Sequence, residues 1–566
     1  MKLLYAAFFT CAILFSCLLL AVPADQNENT QPTSPSHILY LMHTGKTAQA
    51  LQAYRDYTNN TGTQDFELIE RLGLILLDQG YRSKDAETQK LTLFGAGISS
   101  NEKALYIIEN SIGSDAPEME LIALSFLPRF QNEIADKALH RAMTSNYVLI
   151  RLEAASQLAL KKDPKAAGQI EGLMSKLPEE VWPLFPQLFA ALGTPQAKKI
   201  LRKLLTNRHE PVRVASILSA AEFSHDDYLP VIRRLASHHE PLQLEACAAA
   251  LGILKDEYSI SRLLMLSQNP NTNIKLAALN SLYHMGREEA KEGIIDLAKQ
   301  QNLFAIYKLR DIRGSENQLA ALIKYDDIQV RANAALALLE HGDKRCLPTI
   351  AELLLTNSRD YAIVTITSQG KSLTAMRVIP SATQNLEDDP VSIEMSLHLR
   401  EEALAKAVEL PEPEFITLAH AIFERQQNDL IPALIEVLVN HPTPAVIELL
   451  KIHQQKPGAP LVRNYCNLAL YRLKQPGPYA ENLRDWVTKQ CHVDLIRFRT
   501  AVPWDQREMI AFELTPQETS RLLVDAFEAF VSSQDDKGID ILISVIQTGN
   551  SKNKYALIGL LMRAIQ

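Results

Sequence analysis

The chain has 566 residues and 47% hydrophobic content, enough to bury cores along most of its length, in several compact domains or one extended array. Its 21 glycines are about half the usual share of roughly 7%, which suits helices joined by short turns and disfavours a β-rich or loop-rich chain. The net charge of −8 comes from interspersed charges with no basic stripe, which argues against nucleic acid as a partner.

The first residues read as an export signal. Lys2 precedes an uncharged apolar run from Leu3 to Val22, and Val22 and Ala24 supply small residues at −3 and −1 of a cut after Ala24. The run is long enough to span a bilayer, so an uncleaved N-terminal anchor is the alternative to a signal peptide over 1–24. Cys17 offers a weaker lipoprotein reading, because another apolar stretch follows it. Residues 25–37 form a polar linker that cannot pack. Residues 38–100 read as a helical N-terminal cap, in which Leu41, Gly45, Ala48, Ala50, Leu51 and Tyr54 resemble a tetratricopeptide hairpin. A terminal repeat has a neighbour on one side only and needs a polar outer face.

Residues 101–357 carry the clearest repeat. Ala-rich apolar segments recur with polar anchors at Arg151, Arg213, Gln243, Lys275 and Arg331, spaced 62, 30, 32 and 56 residues apart. The period is about 31, and the two long gaps each hold a degenerate copy. Small residues Ala215, Ala246, Ala277 and Ala334 recur near the anchors, where they let helices approach closely. Residues 358–395, with the β-branched run Tyr361 to Thr367, break the rhythm as an irregular repeat or insertion. Degenerate repeats resume over 396–490, and 491–566 read as a helical C-terminal cap after a lapse to about Trp504.

In loose form the pattern is Pro-x-Val-Arg-x-x-Ala-x-x-Ala-Leu, best matched between Asp326 and Asp343, and it resembles the HEAT repeat family, including its short bacterial type. The resemblance implies an all-α, armadillo-like α-solenoid: a superhelix of stacked antiparallel helix pairs. It also implies that second helices at 147–160, 212–223, 242–254, 274–285 and 329–340 line the concave face, where a protein or peptide partner is expected to bind. In HEAT proteins an Arg and a preceding Asp commonly form a polar ladder between repeats. Asp327 and Arg331 fit that arrangement, Glu210 with Arg213 is a looser echo, and Gln243 breaks it.

Chemistry-bearing motifs are thin. His209-Glu210-Pro211 and His239-Glu240-Pro241 invite comparison with the HEAT-like deoxyhypusine hydroxylase, whose two irons sit on repeated His-Glu pairs. That family needs four pairs inside helices, whereas these two precede helix-starting prolines and read as capping and surface pairs. His238 and His239 alone do not complete a tetrahedral site. Gly370-Lys371-Ser372 lacks the first glycine of a phosphate-binding loop, since Thr365 stands there. Cys491 and His492 are adjacent in sequence only. The bilin lyases share HEAT-like repeats but act in the cytoplasm, which an export signal disfavours. Cys11 and Cys17 fall inside the signal, and Cys247, Cys346, Cys466 and Cys491 show no disulfide framework; Cys247 and Cys466 read as core.

The sequence assigns no catalytic, cofactor-binding or metal-ligating residue and no cofactor. It points to a non-enzymatic exported scaffold or adaptor that binds a protein or peptide, periplasmic or tethered to the membrane facing the periplasm. Its alternatives are an enzyme or enzyme subunit with a groove site, and an envelope spacer. Leu251 and Leu336 read as core, so replacing either with Asp is expected to unfold a repeat, measured by circular dichroism on heating.

Overall fold

The computed structural model describes residues 34–356, 390–500, 510–514 and 518–565. The chain divides into two compact units, Met1–Leu72 and Gly73–Gln566. In the first, α1 (Pro35–His43) and α2 (Thr47–Thr61) form a hairpin whose turn uses Gly45 at φ +78°, and α3 (Phe66–Tyr81) begins there. Ile38, Met42, Ala50, Leu51, Tyr54 and Leu68 make its core. The Tyr54 hydroxyl donates to Gln64 Oε1 at 2.9 Å. Helix α1 starts at Pro35, within the stretch that the sequence assigns to a polar linker, because Ser34 caps it by accepting from the His37 N–H.

The second unit contains the end of α3 and then α4 (Ala86–Ser99), α5 (Leu105–Ser111), α6 (Pro117–Phe126), α7 (Glu133–Ala142), α8 (Val148–Leu160), α9 (Ala166–Met174), α10 (Phe185–Leu192) and α11 (Pro195–Leu204). Next come α12 (Glu210–Glu222), α13 (Leu229–Leu235), α14 (Pro241–Ile253), α15 (Ile260–Leu266), α16 (Thr272–His284), α17 (Ala290–Lys299), α18 (Leu303–Lys308), α19 (Glu316–Leu322), α20 (Ile328–Glu340) and α21 (Leu347–Leu355). After residues 357–389, where the motif at Gly370 lies outside the described residues, follow α22 (Pro390–Lys406), α23 (Glu412–Glu424), α24 (Ile431–Asn440), α25 (Pro444–Gln455), α26 (Pro460–Arg472) and α27 (Tyr479–Gln490). An antiparallel pair, β1 (Ile496–Thr500) with β2 (Ile510–Leu514), precedes α28 (Glu518–Ser532), α29 (Asp536–Thr548) and α30 (Lys554–Ala564). The pairing runs from Ile496 opposite Leu514 to Thr500 opposite Ile510, so the segment read as a helical cap begins with a strand pair. Among the described residues no helix is long and apolar enough to cross a membrane.

The unit is an all-α solenoid in which alternate helices stack in one layer, α8 on α10, α10 on α12, α12 on α14 and α14 on α16. Ala220, Ala221, Ala246, Ala248 and Ala250 are buried in these contacts, and small side chains bring the helices close. The layer continues through α22, α24, α26, α28 and α30, and α30 packs back on α4, which in turn packs on α6. The two ends of the array therefore cover each other, where the sequence reading expects two separate caps. A Cβ built on Gly95 would lie 2.2 Å from the Tyr555 carbonyl oxygen, and one on Gly559 would lie 2.3 Å from the Gly95 carbonyl oxygen. Only glycine permits that approach.

The polar anchors support the turns. Arg151, Arg213 and Arg331 each donate through Nη1 to the carbonyl six residues earlier, those of Ser145 (3.1 Å), Asn207 (2.9 Å) and Tyr325 (3.2 Å). Gln243 does not break this ladder; fully buried, it accepts from Arg213 Nε at 2.7 Å and donates to the Leu235 carbonyl at 3.0 Å. Asp327 is not the partner of Arg331 but the N-cap of α20, accepting from the Gln329 and Val330 amides. Leu251 is fully buried, whereas Leu336 is only half-buried and lines a groove. The two Leu→Asp changes should therefore part company, with Leu251→Asp unfolding and Leu336→Asp leaving the melting cooperative.

Gly559→Ala is expected to lower stability by about 1–3 kcal/mol through overpacking against α4. Gly172→Ala, a helical site with nothing within 4 Å, is expected to raise it by about 0.5–1 kcal/mol. Equilibrium denaturation of both variants checks the pair, and equal effects would refute the closure.

Candidate partner-binding surface

The outward face of the Ala-rich layer repeats in register. In a 31-residue register, Pro211, Leu218 and Glu222 on α12 match Leu242, Ala249 and Ile253 on α14 and Asn273, Asn280 and His284 on α16, none of them buried; Val214 matches Glu245, but the next counterpart, Leu276, is buried. Equivalent residues are 31 apart, as in Leu218, Ala249 and Asn280. The same face continues to Ser156 and Leu160 on α8, and to Leu336 and Glu340 on α20. Its character changes along the stack. Leu160 is 65% exposed, Leu242 52% and Ile253 41%, so the α8–α14 end offers apolar contacts. The α16 end offers Asn273, Asn280 and His284, and Asn280 Oδ1 is buried with no hydrogen-bond partner. Burial also raises the pKa of Glu222.

The face runs into a groove between α18, α20 and α22, lined by Tyr307, Leu336, Leu399 and four charged residues. Arg310 lies 4.7 Å over the Tyr307 ring, pairs with Glu340, and stands 3.9 Å from Glu402. Lys406 Nζ holds the other Glu340 oxygen at 3.1 Å. Burial opposes ionisation of Glu340, but Arg310 and Lys406 together keep its pKa below the usual range. The groove's charges are thus matched internally, and Tyr307, Leu336, Ala337, Leu339, Leu399 and Ala403 make its apolar lining.

The sequence-nominated residues do not converge. His209 is the N-cap residue of α12 and Glu240 that of α14, and neither caps through its side chain. His209 instead meets Glu179, which also binds Arg208 at 2.6 Å. His238 Nδ1 lies 3.9 Å from Glu240, and His239 is exposed. Cys247, Cys346 and Cys466 are buried, with burial pushing the first two thiols up to about 12. Cys491 is half-buried and His492 exposed. What the motif reading passes over is a cluster across two repeats: His420 and Glu424 on α23 with His453 on α25. His-x-x-x-Glu on one helix face, followed by a histidine one repeat later, is the signal that was available.

One part-buried side-chain contact ties α19 to the end of α20. His341 Nδ1 lies 2.8 Å from Glu316 Oε1 and Nε2 lies 3.0 Å from the Leu309 carbonyl. The Gly314 amide, then His341, hold the Glu316 pKa down to about 2.

With this geometry in view, residues 197–282 match the family described as HEAT repeats, and residues 330–356 match the PBS lyase HEAT-like repeat. HEAT repeats are thus present in this chain over those residues. No curated protein matches the chain. Among solved structures, the complex of CpcE and CpcF of phycocyanin lyase from Nostoc sp. PCC7120 is 16% identical with a TM-score of 0.29, covering 36% of this chain and 87% of that one. Kap121p bound to Pho4p is 12% identical with a TM-score of 0.32, covering 95% of this chain and 66% of that one. Kap95p with RanGDP is 11% identical with a TM-score of 0.34, covering 90% and 80%. This chain spans about two thirds of the Kap121p chain. Likenesses this remote carry no argument about function.

A lowered carboxyl pKa stabilises the fold above the unfolded value and loses that contribution as pH falls through the folded one. The Glu316 contribution is therefore full above about 4.5 and disappears towards about 2. Glu316→Gln should be less stable than the native chain at pH 6 and close to it at pH 2, measured by urea denaturation at each pH.

Proposed function

We propose that this chain is a non-enzymatic scaffold that binds a protein or peptide along the outward face of α8, α12, α14, α16 and α20. The observation that carries this is the 31-residue register of that face, which lines up like positions from repeat to repeat. A surface of this kind suits an extended partner that makes modest contacts at several repeats. The apolar residues Leu160, Leu242 and Ile253, with Glu153, Glu222 and Glu245 among them, favour a partner with apolar anchors and neutral or basic flanks. For its address we propose export, supported by Lys2 and the uncharged run to Val22 before the polar switch at Asp25. The scaffold would then work in the periplasm, free or tethered.

The test is affinity purification at native level from cross-linked envelope fractions, with mass spectrometry of bound proteins and of the chain's own N-terminus. One reproducible partner is expected, together with an N-terminus at Asp25. Leu242→Arg with Ile253→Arg, both at exposed sites, is expected to cut capture at least about tenfold with unchanged melting. Capture that survives the double substitution would overturn the assignment of this face, and an intact Met1 would overturn cleavage.

A further inference from the structure

The repeats at α23 and α25 bring together three metal-ligating side chains that the partner-binding reading does not use. His420 and Glu424 stand one helical turn apart on α23, and His453 reaches them from α25. Glu424 Oε1 is 3.7 Å from His420 Nε2 and 4.0 Å from His453 Nε2, and the ligand atoms of the three residues all lie within 4.8 Å of one another. Lys456 holds the other oxygen, Oε2, which leaves Oε1 turned to the imidazoles.

His453 gives the cluster its direction. Its side chain is 1% exposed, fixed against the Phe423 ring at 4.7 Å and the His420 ring at 4.9 Å. Its Nε2 is nonetheless buried without a hydrogen-bond partner. A histidine kept only for packing would pair that nitrogen or be replaced by Phe, because an unmet buried polar atom costs about 1–3 kcal/mol. His420 and Glu424, by contrast, are 48% and 35% exposed, so the cluster has a buried floor and an open rim.

We infer that His420, Glu424 and His453 form a binding site for a divalent first-row transition cation. Ligand bonds of about 2.0–2.2 Å in tetrahedral geometry put ligand atoms roughly 3.3–3.5 Å apart, so the observed separations need only small side-chain movements, chiefly of the exposed His420. Two imidazoles and one carboxylate select zinc, iron, cobalt, nickel or copper over magnesium or calcium. Three protein ligands leave a coordination position open on the solvent side, where water or a group from another molecule would bind. Lys456 competes for the carboxylate, which tempers the affinity.

The experiment is titration of the chelator-stripped full-length protein with Zn²⁺ against a chromophoric competitor, repeated with Co²⁺ to read its visible ligand-field bands. One equivalent is expected to bind. His420→Ala and Glu424→Gln, both at exposed positions, should each weaken binding by more than about tenfold, and Lys456→Met should tighten it. His453→Phe should abolish the cobalt bands and melt no earlier than the native chain. His239→Ala should change nothing. Binding that is absent, or that is unaltered in both His420→Ala and Glu424→Gln, would overturn the site.

Discussion

The second unit depends on a backbone contact between residues far apart in sequence. Gly95 in α4 and Gly559 in α30 touch through atoms that any side chain would displace, with Cβ positions falling 2.2 and 2.3 Å from opposing carbonyl oxygens. Through this contact the last helix of the array covers one of the first. An open solenoid must finish each end with a polar face or leave apolar surface in water. Here α4 and α30 bury each other instead, and Leu93, Ala96, Leu557 and Leu561 are core residues. Each repeat then has neighbours on both sides, so the usual distinction between interior and terminal repeats loses its force.

Inside that circuit, a period near 31 residues separates two jobs on one helix. The buried positions of α12, α14 and α16 are mostly alanine, leucine and isoleucine, with Ser216, Gln243, Cys247 and Ser281 among them, and they set how close neighbouring helices can come. The outward positions are less buried, and they differ from repeat to repeat: Leu218, Ala249, Asn280. The arginine anchors keep the register by satisfying turn carbonyls that the helix ends leave open. A scaffold gains from this arrangement, because its contact surface can change without disturbing its core.

Much of this was legible in the sequence, and the failures share a cause. The Ala-rich helices, the anchors and the all-α solenoid follow from periodicity, a local signal. Closure between Gly95 and Gly559 is not local, and nothing in either helix announces the other. Gln243 reads as a break because it stands where the pattern has a charged anchor, yet its amide accepts from Arg213 and donates to the Leu235 carbonyl. Asp327 was assigned to an arginine four residues on, but the free amides at the start of α20 are nearer. The strand pair was legible and passed over: Ile496 to Thr500 and Ile510 to Leu514 both alternate apolar with other residues, the period of a strand.

The same limit explains the histidines. Pairs adjacent in sequence, at His209 and at His239, read as motifs, but they sit at turns, where His209 meets Glu179 and it is His238 that lies near Glu240. In a solenoid, side chains meet across a repeat, so a convergent site is spelled with a gap of about one period. His453 follows Glu424 by 29 residues and His420 by 33, straddling that period. Asn280 Oδ1 and His453 Nε2 are both buried and unpaired, one on the outward face and one at the α23–α25 crevice. Carrying each costs about 1–3 kcal/mol. Such a cost is best explained where a bound group offsets it, which links the partner face and the imidazole cluster to one physical argument.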